Sequence, residues 1–302
     1  MRVEVRRNYP VKNLTAFKIG GSAENFYLPK NEEEFLFLLE RVENPIVFGS
    51  WSNVLISSQG IRGDIISTAK LDEIKFDGNK VFALGGVKGP AISRAAADAE
   101  LTGFEFMSGF PGSIGGNIYM NASAQNQCIS DYLTRIKVFE LSTKKTFFIE
   151  KKDLELGYRT SLLQRKDYIV LFAEFELPHS DKTSVLKLIQ KNLDFRREHQ
   201  PNLSKPNAGS VFKNPEGTSA GKLLEEVGAK GFSFNGARVW SGHANFIVNS
   251  NKSASSEDVL ELMLMMYNAV ENKFGIKLHP EVKYFGVQTK REEEICNILY
   301  RN

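Results

Sequence analysis

The sequence predicts an α+β fold, and three observations carry that reading. Short runs rich in Val, Ile, Phe and Thr recur between residues 45 and 177, with few helical patterns among them. At 177–184 the composition changes to LPHSDKTS, and from there long helical periodicities take over. A doubly wound parallel sheet would instead need a helix after nearly every strand.

Taken in order, NEEEFLFLLERV at 31–42 reads as a helix. Asn31 is its cap, Glu34 is placed for a capping box, and Phe35, Leu38 and Leu39 form one apolar face. PIVF at 45–48 is a short buried strand that runs directly into GSWSNVL. Further strands are predicted at 64–68, 80–86, 133–141, 145–150 and 168–177, with the alanine-rich AISRAAADAEL at 91–101 as a helix between them. After 177–184, SVLKLIQKNLDFRREHQ reads as a helix stopped by Pro201. A second long helix covers 256–274. There Val259, Met263, Met266, Val270 and Phe274 recur at spacings of three and four, and Gly275 supplies the stop. Its methionines are expected to fill core. The predicted division is a region 1–180, built of two α+β parts (1–70 and 71–180), followed by 181–302.

Composition narrows the function. With 302 residues, 42% hydrophobic and 25% charged, the chain is an ordinary globular one, and its net charge of +3 is spread among interleaved acids and bases. That argues against a dedicated nucleic-acid surface. Cys128 and Cys296 are far apart and no ligand spacing for a metal occurs, so two reduced thiols, a cytoplasmic setting and no metal are expected. No run of about 18 apolar residues predicts a membrane span, and MRVEVRRNYP lacks the apolar centre of a signal peptide.

Two glycine-rich loops stand out: GSWSNVL at 49–55 and SGFPGSIGGNIYMNAS at 108–123. Small hydroxyls and backbone N–H groups in such loops suit a pyrophosphate. Neither is the G-x-G-x-x-G of a dinucleotide fold, and GTSAGKL at 217–223 is not a P-loop. Three further residues have reactive side chains in telling contexts. Arg159 in LGYRTS offers a fixed fork of donors for a carboxylate. Glu281 in LHPEV precedes an apolar run, and Ser210 in PNAGSVFKNP follows two small residues. A serine hydrolase would use Ser210 as a nucleophile, but G-x-S-x-G is absent and only four histidines are available to activate it.

Read together, LTAFKIGGSAENF, GSWSNVL, GFPGSIGGNIYMNAS, YRTS, NAGSVFKNP, AGKLLEEVGAKG, HANFIVN and LHPEV resemble the UDP-N-acetylenolpyruvoylglucosamine reductases, from about Leu14 to Val282. The resemblance implies the FAD-binding fold shared with vanillyl-alcohol-oxidase-type flavoproteins, followed by a substrate-binding domain of the subclass without an inserted tyrosine loop. It implies non-covalent FAD, NADPH as co-substrate and UDP-N-acetylglucosamine enolpyruvate as substrate, in a cytoplasmic protein expected to be a monomer. By the same resemblance Arg159, Ser210 and Glu281 are catalytic, with Ser210 donating a proton rather than losing one. Tyr158, Asn214 and Arg197 are expected at the substrate. Gly49, Ser50, Ser52, Asn53 and Val54 of the first loop match FAD-binding positions, as do Ser108, Pro111, Gly112, Ser113, Gly115, Gly116, Asn117 and Asn121 of the second. Three residues depart from the pattern. Trp51 and Ser123 stand where glycines are usual, and Leu163 ends YR-x-S-x-F. If position 51 needs a positive φ, the indole costs about 1 kcal/mol or more in backbone strain. Two alternatives stay open: another FAD-dependent oxidoreductase on the same fold, or a nucleotide-binding protein with weakened flavin affinity.

Overall fold

The computed structural model describes residues 3–202 and 204–301. The chain forms two compact units. The first holds the residues up to Arg6, Asn25–Ser50 and Asp64–Arg196, and the second holds Arg7–Glu24, Trp51–Gly63 and everything from Arg197 on. The folded partition thus differs in kind from a linear division at residue 180. Two short excursions belong with the C-terminal half, because Phe17, Ile19 and Leu55 are fully buried in its core.

In the first unit, helix α1 (Glu32–Arg41) is capped by Asn31, whose side chain accepts the Glu34 N–H. The reciprocal bond of the expected capping box is not the one made. Glu34 Oε2 accepts from Lys30 N–H instead. Phe35 and Leu39 pack with Ile66, Phe139 and Leu171 in a small apolar core. The strands Ile46–Phe48 and Ile61–Ser67 pair in parallel, from Ile46 opposite Ile65 to Phe48 opposite Ser67. A five-stranded antiparallel sheet follows. Its order is Lys145–Glu150, Leu133–Glu140, Tyr168–Glu176, Lys80–Leu84, Ile74–Asp77. Its inward residues, among them Val81, Ala83, Ile136, Val138 and Ala173, share the main core with residues of α2 (Gly89–Asp98) and α3 (Ile114–Tyr119). Sequence periodicity missed α3, because IGGNIY is too short and too rich in glycine to show an apolar stripe. Helix α4 (Lys182–His199) buries only Val185 along its length.

In the second unit, α5 (Ala220–Glu226), α6 (Ser256–Phe274) and α7 (Lys290–Leu299) accompany a meander of Ser233–Phe234, Ala237–Val239 and Ile247–Asn249. A parallel pair joins Lys283–Phe285 to Val54–Ile56. Helix α6 matches its predicted span, and Gly275 ends it in the left-handed region as predicted; Ser255 and Asp258 close a capping box at its other end. Met263 and Met266 are fully buried, as core filling requires. Each fully buried apolar side chain of this kind contributes about 1.5–3 kcal/mol relative to exposure.

Candidate active site

Within the first unit the two glycine-rich loops meet. A Cβ on Gly49 would lie 1.9 Å from Ser113 Oγ, so only glycine lets the first loop approach the second here. A Cβ on Gly112 would likewise fall 2.1 Å from Asn117 Oδ1. The second loop is stitched to the turn after Lys80–Leu84. Gly115 N–H donates to Gly85 O at 2.8 Å, Ile114 N–H to Val87 O at 2.8 Å, and Gly89 N–H to Gly112 O at 3.0 Å. The segment Gly85–Val87 is therefore part of the site's scaffold, although the sequence presents it only as the tail of a strand. It also takes up backbone donors at Ile114 and Gly115 that an exposed loop would have left for a phosphate. Ser50 and Gly115 are half-buried beside this junction, whereas Pro111 and Gly116 face solvent.

The side chains tell more than the backbone. Ser113 is 2% exposed, and its Oγ has no hydrogen-bond partner among the described residues. The same holds for Ser108 Oγ and for Asn121 Oδ1. A buried polar atom left unsatisfied costs about 1–3 kcal/mol, so three within one loop define groups that a polar ligand would satisfy. Asn117 is also buried. Together with the Gly49 and Gly112 cradles, these residues fit a pyrophosphate- and ribityl-bearing cofactor such as FAD.

Tyr158 and Arg159 sit on a turn closed by a bridge between Gly157 and Thr160. Arg159 itself has φ +55°, an uncommon value for a side-chain-bearing residue. The turn is held to the segment after α3. Asn121 Nδ2 donates to Gly157 O at 3.0 Å, Ser161 Oγ to Tyr119 O at 2.8 Å, and Gln164 Nε2 to both Tyr119 O (2.8 Å) and Arg159 O (3.0 Å). Arg159 is half-buried and its Nη1 donates to Ser123 Oγ at 3.1 Å. Leu163, the other departure nearby, is simply core at 3% exposure. Tyr158 is exposed, and the Arg159 guanidinium lies 5.6 Å from its ring centroid.

Arg197, expected at the substrate, is exposed. Its neighbour Arg196 packs on the second glycine-rich loop, where a Cβ on Gly109 would lie 2.7 Å from Arg196 Cδ. Burial pushes the Arg196 guanidinium below the usual arginine range.

In the second unit, the backbone directly after Ser210 runs beside the segment that carries Glu281, while Ser210 itself bridges Phe246. Glu281 N–H donates to Val211 O at 2.8 Å, Lys213 N–H donates to His279 O at 2.8 Å, and Phe212 bridges Pro280. The NAGS stretch reaches this register through a turn in which Gly209 N–H donates to Asn207 Oδ1 at 3.0 Å and Gly209 takes φ +81°. Val211 and Phe212, at 0% and 1% exposure, anchor the chain directly after the serine. No histidine hydrogen-bonds Ser210 among the described residues. His243 Nδ1 instead accepts the Asn245 N–H at 3.1 Å. Asn53 braces Glu281 directly, donating from Nδ2 to Glu281 O at 3.1 Å, and its backbone carbonyl accepts Lys283 N–H at 3.1 Å. Ser52 is half-buried and Val54 pairs with Lys283. Lys283, which the sequence did not flag, is held below the usual lysine range by burial and by Lys213, with Glu281 pulling the other way. Asn214 is exposed and uses Oδ1 to accept Ala220 N–H at the start of α5, at 3.1 Å.

Trp51 has φ +53° and is 4% exposed. Its backbone is therefore in the strained left-handed region while its indole is buried.

The fold and the apposed loops define the class: a flavoprotein with an FAD-binding domain. Residues 25–142 match the family described as FAD binding domain, and residues 200–285 match the UDP-N-acetylenolpyruvoylglucosamine reductase C-terminal domain. The chain is 39% identical over 291 residues to the UDP-N-acetylenolpyruvoylglucosamine reductase of Caldicellulosiruptor bescii, covering 94% of this chain and 91% of that one. It is 40% identical over 287 residues to the one from Geobacillus kaustophilus, covering 93% of each. The crystal structure of the Thermus caldophilus UDP-N-acetylenolpyruvylglucosamine reductase superposes with a TM-score of 0.79 at 29% identity, over 94% of this chain and 99% of that one. The chain belongs to the UDP-N-acetylenolpyruvoylglucosamine reductase family.

Proposed function

We propose that Arg159, Ser210 and Glu281 carry the chemistry of this chain, and that Tyr158, Asn214 and Arg197 contact its substrate. As a family member the chain reduces UDP-N-acetylglucosamine enolpyruvate to UDP-N-acetylmuramate, for peptidoglycan precursor synthesis, with FAD as cofactor and NADPH as reductant. When bound, FAD supplies from N5 the hydride that the substrate receives at C3. Ser113, Asn121 and Ser108 would hold its polar parts, with the Gly49 and Gly112 cradles setting the backbone close by.

What remains falls to the protein's own side chains. Reduction at C3 drives negative charge onto the substrate carboxylate. A preorganised donor aimed at that charge stabilises the transition state more than the ground state. Arg159 is a permanent cation fixed on a clamped turn, which suits it to that task. Glu281 helps in its protonated form, as a neutral O–H donor. Ser210 Oγ–H then gives its proton to C2, a transfer that needs no histidine because the acceptor is a strongly basic carbon.

The observation that supports this best is that the Glu281 N–H donates to Val211 O, which ties the Glu281 segment to the residue directly after Ser210. The test is anaerobic stopped-flow of Ser210→Ala. Flavin reduction by NADPH should stay within about twofold of the parent. Reoxidation by the enolpyruvyl sugar nucleotide should fall by about 10²-fold or more. Equal losses in both half-reactions would sink the assignment. The same reading makes the protein a cytoplasmic monomer acting on two soluble nucleotides, and among the described residues no helix is long and apolar enough to cross a membrane.

A further inference from the structure

We propose that Ser123 is a positioning residue for Arg159, and that its hydroxyl sets the direction of the guanidinium donors offered to the substrate carboxylate. The inference rests on Arg159 acting in the reaction as read above.

The clamp on the Tyr158–Arg159 turn is divided between two kinds of contact. Asn121, Ser161 and Gln164 hold backbone atoms, at Gly157 O, Tyr119 O and Arg159 O. Ser123 holds the reactive end, accepting from Arg159 Nη1 at 3.1 Å. These are different tasks. Backbone bonds place the Cα of Arg159, but the long side chain beyond it carries about 2 kcal/mol of rotamer freedom that they do not touch. A hydrogen bond at Nη1 removes that freedom where it matters and leaves the remaining N–H groups of the planar fork in fixed directions.

Ser123 is itself well anchored. It pairs with Cys128 in a two-strand hairpin, Ser123–Ala124 with Gln127–Cys128. The turn residues Gln125 and Asn126 both lie at positive φ, 51° and 62°, the geometry of a tight two-residue hairpin. The hairpin's return strand is fixed by Cys128 N–H donating to Asp131 Oδ2 at 2.8 Å. Glycine or alanine at position 123 would leave the hairpin's backbone pairing intact and remove only the hydroxyl.

The test compares Ser123→Ala, Ser123→Thr and Ser123→Val in the flavin-loaded enzyme, with Arg159→Lys in parallel. Ser123→Ala should slow reoxidation of the reduced enzyme by the enolpyruvyl sugar nucleotide roughly tenfold, the size of one hydrogen bond to a charged group. Reduction by NADPH, the melting midpoint and the calorimetric Kd of the sugar nucleotide on oxidised enzyme should all stay unchanged. Threonine should restore the rate, whereas its near-isostere valine should not. Equal slowing of both half-reactions, or matching rates for threonine and valine, would overturn the role of Ser123. If Arg159→Lys leaves reoxidation unchanged, the reading of Arg159 falls. If Arg159→Lys is slow while Ser123→Ala is normal, Ser123 alone is excluded.

Discussion

Asn245 holds the backbone of Phe212 by both ends of its side-chain amide, accepting Phe212 N–H at 3.0 Å and donating to Phe212 O at 2.8 Å. Its own carbonyl accepts Val211 N–H at 2.9 Å. Three bonds from one buried residue therefore fix the two positions that follow Ser210. Asn245→Ala should leave two buried backbone groups unpaired and lower unfolding free energy by about 2–4 kcal/mol. Denaturant titration reads the loss, and a change below about 0.5 kcal/mol, the usual size for unimportant surface sites, would contradict it.

The meeting of Gly49 with Ser113 makes a sharper claim about the cofactor. Gly49→Ala puts a methyl 1.9 Å from Ser113 Oγ, so one of the two loops must move. Flavin should then be lost at least tenfold more readily, corresponding to about 1.4 kcal/mol. The flavin-to-protein ratio after gel filtration, read at several FAD concentrations, measures this. A variant that retains FAD as tightly as the parent would show that the junction does not border the cofactor.

Trp51 poses a balance of two terms. Its positive φ costs about 1–2 kcal/mol relative to glycine, while the buried indole contributes about 3–5 kcal/mol that truncation would forfeit. Packing wins on these magnitudes, so Trp51→Gly should destabilise the protein by about 2–3 kcal/mol despite relieving the backbone. Equilibrium unfolding that shows a gain in stability would mean that the strain outweighs the packing.

His243 supplies a pH dependence. Burial holds its imidazole below the ordinary histidine range, and the neutral ring accepts Asn245 N–H on Nδ1. The unfolded chain binds the proton first as pH falls through about 6.5, so folding stability is full above that value and declines below it. His243→Gln should flatten the stability slope between about pH 7 and 5, as thermal melting at stepped pH would show. An unchanged slope would assign it to another group.

Much of this was legible in the residues themselves. The Asn31 cap of α1, the Gly275 stop and methionine core of α6, and four of the five strands of the antiparallel sheet follow from hydrophobic period and end signals, which are local. The motif set also brought Arg159, Ser210 and Glu281 to attention together, because family motifs survive as short contiguous strings. Tertiary contacts decided the rest. The Asn53–Glu281 bond joins residues 228 apart, and the Asn245–Phe212 pair spans 33. No short window of sequence contains both partners of such a bond. The same holds for Arg196 packing against Gly109, for Ser123 meeting Arg159 and for the burial of Trp51 at positive φ. Local pattern specifies which face of an element is apolar. Which side chain then completes another's hydrogen bond depends on where the folded chain brings distant segments within about 3 Å.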